Sequence, residues 1–209
     1  MPEPIMQFKK TMRNRMVKKR REMDPFERER VSETIVQRLL DSKIYQRAKT
    51  IMAYVSMPDE VQLQTFFDQA FKDGKRLAIP LITENNVMRP VLYSSPDVLT
   101  EGQFGIKTVK EEDRIFLQPD AFDFIIVPGA AFDYNGRRLG LGAGYYDQFL
   151  TRVGDTPKIA LAFNFQLEYQ VPFEPHDINV DVIITEAKID AIYDWGMQIW
   201  TKQGTPPWL

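Results

Sequence analysis

A chain of 209 residues with 44% hydrophobic and 27% charged residues has the balance of one globular domain with a continuous core, not that of a disordered or fibrous protein. It has no cysteine and one histidine, His176, which excludes disulfides, thiolate nucleophiles, cysteine metal sites and any mechanism needing two imidazoles. The net charge of −2 conceals a block of eight Lys or Arg and no acid between Lys9 and Arg21; no apolar run reaches membrane-spanning length and no signal peptide is evident, so a cytoplasmic location without membrane contact is expected.

Phe8, Met12 and Met16 recur every four residues and predict an apolar stripe along a first helix, with Lys9 and Arg13 one turn apart beside it. Asp24 as N-cap, Pro25 at the first helical position and Glu27 at the third start a second helix, which continues through Val31, Ile35 and Leu39. Thr50 to Ser56 reads as a short strand, followed by a helix from about Val61 that Gly74 stops. Arg76 to Pro80 is a further strand, and Val87 to Tyr93 another, which Pro90 assigns to an edge or a bulge.

Asp123 to Val127 is a continuous apolar strand ended by Pro128-Gly129, and after a glycine-rich segment a helix is expected to reach about Arg152. Lys158 to Phe163 and Asp181 to Thr185 are apolar runs of the kind found in strands covered on both faces. Without repeats or linkers, this alternation predicts a single α/β domain over residues 1–209. Its mainly parallel, Rossmann-like sheet has helices on both faces in three layers, with ligands beyond the carboxyl ends of the strands.

The segment from Phe132 to Asp147 packs Gly136, Gly140, Gly142 and Gly144 with Arg137 and Arg138 into a turn that runs into a helix. Glycines permit positive φ or close approach of a ligand to the amides, and a helix N-terminus favours phosphate. The dinucleotide fingerprint fails because Tyr145 stands where its third glycine belongs, and the Walker loop fails for want of Gly-Lys-Ser/Thr. Asp133-Tyr134-Asn135-Gly136 starts like a calcium loop, but the remaining ligands are absent and an Asx-type turn is expected. Asp147 suits the first turn of a helix as a capping charge, yet it would repel a phosphate on the same loop unless Mg²⁺ bridges the two. The metal reading is preferred.

Arg138-Leu139-Gly140-Leu141-Gly142-Ala143-Gly144-Tyr145-Tyr146-Asp147, preceded by Val127-Pro128-Gly129-Ala130-Ala131-Phe132-Asp133, closely resembles the signature of the 5-formyltetrahydrofolate cyclo-ligases. Lys9-x-x-Met12-Arg13, Tyr54-x-x-x-x-Asp59-Glu60-Val61, Phe104-Gly105-Ile106 and Ala162-Phe163-x-x-Gln166, then His176-Asp177 and Val180-Asp181, extend the likeness over nearly the whole chain. The resemblance implies ATP-dependent closure of 5-formyltetrahydrofolate to 5,10-methenyltetrahydrofolate, giving ADP and phosphate, through a phosphorylated formyl (imidate) intermediate. Such a reaction rests on positioning and charge neutralisation and needs no protein nucleophile.

Carried over residue by residue, the resemblance implies that Lys9, Arg13, Arg138, Gly140, Gly142, Gly144 and Tyr145 surround the ATP. Asp147 and Asp181 match Mg²⁺ ligands. Glu60, Phe104 and Tyr146 match folate contacts, with Arg138 and Tyr146 nearest the reacting groups. His176 is taken as a turn or packing residue. The chain departs from the family pattern at Leu141, Ala143 and Gln148, at Gln62-Leu63, and at Lys107-Thr108-Val109. The rival expectations are a folate- or nucleotide-binding regulator without turnover, and a nucleic-acid module built on the basic first helix. The preferred expectation is a monomeric enzyme whose partners are 5-formyltetrahydrofolate and ATP, without nucleic acid.

Overall fold

The computed structural model describes residues 3–102 and 105–191. Seven strands form the central sheet in the order β12-β11-β9-β6-β1-β2-β3. Five are parallel: β1 (Thr50–Met52), β2 (Arg76–Ile82), β6 (Phe124–Val127), β9 (Lys158–Leu161) and β11 (Val182–Ile184). β3 (Met88–Tyr93) and β12 (Ile189–Ala191) close the edges antiparallel. β3 is the edge strand that Pro90 predicts, and it sets Pro90 opposite Pro80, so the two residues lacking an amide hydrogen share one position of the ladder.

Alternate residues of each strand serve opposite faces. Ile51, Leu77, Ile79, Phe124, Ile126, Ile159, Leu161, Val182 and Ile184 pack with α2 (Pro25–Leu40), α3 (Lys43–Arg47) and α4 (Gln64–Lys72). Met52, Ala78, Ile125, Val127, Ala160 and Ile183 pack on the other side with Phe149 and Leu150 of α5 (Tyr145–Leu150). The three-layer α/β fold is therefore as the apolar runs imply.

α2 begins as its sequence dictates: the Asp24 carboxylate accepts from the amides of Phe26 and Glu27. The first helix, α1 (Glu3–Glu22), differs from expectation. Met16 is buried and Met12 half-buried, but Phe8 is 65% exposed, and the inward positions one or two turns apart are Lys9, Arg13, Met16 and Arg20. α4 starts at Gln64 and not at Val61, because side chains take up the intervening amides: Ser32 Oγ accepts from Gln62 and Ser56 Oγ from Leu63.

Between β6 and α5 the chain makes a small hairpin, β7 (Ala131–Asp133) with β8 (Arg138–Leu139), which replaces the anticipated direct entry into a helix. Its turn is the Asx turn expected. Asp133 Oδ1 accepts from the amides of Asn135 and Arg137, while Oδ2 accepts from Val171. β4 (Leu99–Glu101) and β5 (Lys107–Val109) form a separate hairpin, and β10 (Leu167–Glu168) adds to β7.

Candidate active site

β1 has β2 on one side and β6 on the other, so the chain order reverses there and a crevice opens beyond the carboxyl ends of these strands. A cavity of about 1090 Å³ occupies it. Lys9, Arg13, Glu60, Arg138, Gly140, Gly142, Gly144, Tyr145, Tyr146 and Asp147 all line this one cavity. Phe104 lies outside the described residues. Asp181 is placed elsewhere: it precedes β11, accepts from the Lys158 amide at 2.7 Å and approaches Lys158 Nζ at 3.6 Å, at the opposite end of the parallel strands. Of the two acids expected to hold Mg²⁺, Asp147 lines the cavity and Asp181 is not among its lining residues.

At one end of the cavity, α1 meets the glycine segment. Arg13 Nε donates to Gly140 O at 2.8 Å. Gly142 has φ +110°, and a Cβ there would sit 3.3 Å from the Arg13 guanidinium carbon, so the ribbon needs glycine for both conformation and space. The amides of residues 140–144 donate to no acceptor among the described residues. α5 contributes only six residues beyond Gly144, so this ribbon carries more of the anion-binding capacity than a helix dipole does.

Lys9 Nζ is gripped by Glu174 at 2.8 Å and Asp177 at 2.6 Å. Burial alone would depress its pKa, but the hydrogen bonds from the two carboxylates outweigh it and leave the ammonium above its usual range. Asp177 also accepts from the Glu174 amide, which fixes the turn that holds the pair. His176 stands at the rim with its side chain 69% exposed.

Arg138, with 2% of its side chain exposed, bonds Asp147 at 2.7 Å and donates to Pro128 O at 3.2 Å. Its Nε is buried without a partner, as is the hydroxyl of Tyr146. Two unsatisfied donors at the wall of a cavity are the signature of groups awaiting a ligand. Burial, and then Glu60, push the Tyr146 phenol far above its ordinary pKa, with Arg138 opposing, so it stays a neutral donor.

Glu60 forms the floor at the other end. It is 5% exposed, and its Oε2 accepts from the Met57 amide. Burial raises its pKa, and Arg20 works against that shift from 3.6 Å. Arg20 was not among the expected site residues. Its only sequence signal is its place one turn beyond Met16 on the inward face, which a basic run conceals. Of the basic block, Lys9, Arg13 and Arg20 turn inward, while Lys10, Arg15, Lys18, Lys19 and Arg21 are exposed.

Of the two carboxylates expected to hold Mg²⁺, only Asp147 fits a cavity-facing ligand. Its Oδ1 is shared by Arg138 and the Ile178 amide, and it lines the cavity beside the glycine ribbon.

The fold and the cavity are those of a known class of enzyme. Residues 5–186 match the 5-formyltetrahydrofolate cyclo-ligase family. The mouse 5-formyltetrahydrofolate cyclo-ligase is 32% identical over 189 residues, covering 85% of this chain and 93% of its own; that of Escherichia coli K12 is 26% identical over 182 residues, covering 85% and 98%. The solution structure of a 5,10-methenyltetrahydrofolate synthetase from Aquifex aeolicus superposes with a TM-score of 0.80 at 34% identity, over 93% of this chain and 97% of that one. The chain belongs to the 5-formyltetrahydrofolate cyclo-ligase family.

Proposed function

We propose that this chain closes 5-formyltetrahydrofolate to 5,10-methenyltetrahydrofolate at the expense of ATP, with the whole reaction in the one cavity. The observation that carries the reading is convergence: cations of α1, the glycine ribbon, Arg138, Asp147, Glu60 and Tyr146 line one cavity, with the Arg138 guanidinium 5.8 Å from the Tyr146 ring. A formamide carbon is a weak electrophile and its oxygen a poor leaving group. Transfer of the γ-phosphoryl forms a new P–O bond to that oxygen as the bond to the ADP oxygen breaks. The N10 lone pair then attacks the activated carbon, phosphate departs with the former formyl oxygen, and the N10 proton passes to the departing phosphate or to solvent.

The protein supplies positions and charges for this sequence, not a nucleophile. Ribbon amides and Arg13 would hold the phosphates, and Arg138 would face the charge that spreads over the transferring group. Glu60 would accept from the N–H edge of the pterin, and Tyr146 would donate to the formyl oxygen or its neighbour. Asp147 would hold a Mg²⁺ that arrives with the nucleotide; when bound, that ion neutralises phosphate charge. We read the protein as a cytoplasmic monomer; no helix among the described residues is long and apolar enough to cross a membrane.

The test is direct. Protein mixed with 5-formyltetrahydrofolate, ATP and Mg²⁺ should generate the near-ultraviolet absorbance of the methenyl product, with one ADP formed per product. Absence of that absorbance with folded protein would refute the proposal.

A further inference from the structure

Arg20 is the largest fully buried side chain in the molecule among the described residues, and no hydrophobic partner explains it. Its Nε and Nη2 both donate to Asp59 Oδ2, at 3.0 and 2.7 Å, while Nη1 lies 3.4 Å from Gly129 O and 3.6 Å from Glu60 Oε1. A guanidinium taken out of water costs several kcal/mol, of order that for any buried ion, unless its geometry is well compensated. Here one cation serves two adjacent carboxylates. Asp59 takes the close, forked contact, and Glu60 keeps Oε1 turned toward Arg20 while its other oxygen is tied to the Met57 amide.

The neighbourhood fixes this arrangement from several elements. Arg28 of α2 donates to Pro58 O at 2.9 Å and to Arg20 O at 3.0 Å, stitching the end of α1 to the turn that carries Asp59 and Glu60. Tyr54, just beyond β1, and Tyr146 of α5 face Glu60 as buried phenols. The charged or titratable groups around Glu60 are therefore Arg20, Asp59, Tyr54 and Tyr146, and Arg20 is the cation among them.

We infer that Arg20 is a positioning residue for folate recognition: by anchoring Asp59 and reaching Glu60, it holds the Glu60 carboxylate at the cavity floor as an acceptor for a paired N–H edge. This rests on the reading of the cavity as the folate site. Arg20 does not touch the cavity, so it acts only through Glu60. With Arg20 removed, only the Met57 amide still opposes the burial of Glu60, and the protonated form, a poor acceptor for two N–H donors, gains ground as pH falls.

The sign of the expected pH effect follows. Arg20→Gln should raise KM for 5-formyltetrahydrofolate about tenfold or more near neutral pH, the size of losing a charge-assisted contact, with KM for ATP within about twofold of the parent. The folate KM should improve again as pH rises, a recovery absent from the parent and from Glu60→Gln. Arg20→Lys keeps the charge and is the variant to use if Arg20→Gln does not fold. It should raise the folate KM a few-fold, leave KM for ATP alone, and show no new pH dependence.

A folded Arg20 variant with unchanged folate KM and an unchanged pH profile would overturn the inference, as would parallel rises in both KM values. If Glu60→Gln raises the folate KM and the Arg20 variants do not, the positioning role alone is lost. If the parent enzyme turns over 5-formyltetrahydrofolate but Glu60→Gln is indistinguishable from it, the inference falls because Glu60 is not the contact. Absence of turnover in the parent is the separate failure of the cyclo-ligase reading.

Discussion

Breaking the Arg138–Asp147 pair has consequences for stability and for catalysis that separate cleanly. Arg138 is almost fully buried and Asp147 is one-fifth exposed, with 2.7 Å between them. Removing one partner from a buried pair costs about 3–5 kcal/mol; the exposure of Asp147, and the Ile178 amide that remains on it, put Arg138→Gln near the lower end, about 3 kcal/mol. For a chain of this length, each kcal/mol lowers Tm by about 2–4 °C, so a fall of about 6–12 °C is expected. Asp147→Asn strands the guanidinium on Pro128 O alone and should cost a similar amount. The double variant leaves two neutral amides facing each other and should recover about 1–2 kcal/mol of the summed loss. Turnover should not recover, because an electrostatic contact to the transferring phosphoryl is worth about 100-fold or more. Urea denaturation and the rate of methenyl formation measure the two quantities independently. If the double variant regained kcat/KM together with stability, the pair would be scaffold, and Arg138 would have no part in the chemistry.

Other expectations follow from the same geometry. Gly142→Ala must adopt φ near +110° beside the Arg13 guanidinium, a strain of about 1–3 kcal/mol, and should raise KM for ATP while leaving the folate KM unchanged in steady-state assays. Asp147→Asn should increase the Mg²⁺ concentration needed for half-maximal rate, whereas Asp181→Asn should leave that titration untouched; an equal shift for both would reinstate Asp181 as a ligand. Glu174→Gln removes one of the two carboxylates on Lys9 and should lower KM for ATP about two- to fivefold, and an unchanged value would mean that phosphate does not come near Lys9.

Some of this site can be read from the sequence for local reasons. The cap at Asp24, the Asx turn at Asp133 and the positive-φ glycines at 142 and 144 are short-range effects, where neighbours in the chain decide the geometry. The continuous apolar runs along β1, β2, β6, β9 and β11 are likewise local, and with alternate side chains serving opposite faces they deliver the layers. The failures are long-range. Val61 and Leu63 read as helix, yet the hydroxyls of Ser32 and Ser56 accept from the amides of Gln62 and Leu63, and the helix starts only at Gln64. The place of Asp181 is likewise set by long-range pairing: it precedes β11 and accepts from the Lys158 amide of β9. Arg20 differs in the sequence from Lys18, Lys19 and Arg21 only by lying four residues after Met16, and it takes the position of Asp59 to show why it alone of the four is buried.

If ATP binds as proposed, backbone amides and a metal would handle it, and not a surplus of basic side chains. Lys9, Arg13 and Arg138 face Glu174, Asp177 and Asp147, three cations against three carboxylates. Their formal charges cancel, so before any ligand enters, the side chains give a polyanion little net attraction at distances beyond the Debye length of about 8 Å. What attraction there is at close range must come from directed donors: the unpaired amides of residues 140–144 and the Nε of Arg138. Donors fixed in direction stabilise a charge only where it sits correctly, so a balanced site binds the ground state modestly and favours the geometry in which the phosphoryl is moving. A cavity of uncompensated lysines would hold ATP more tightly and release ADP and phosphate more slowly. In the proposed reaction, the acids that clasp Lys9 and Arg138 would keep the cations in place without leaving them free to trap the products.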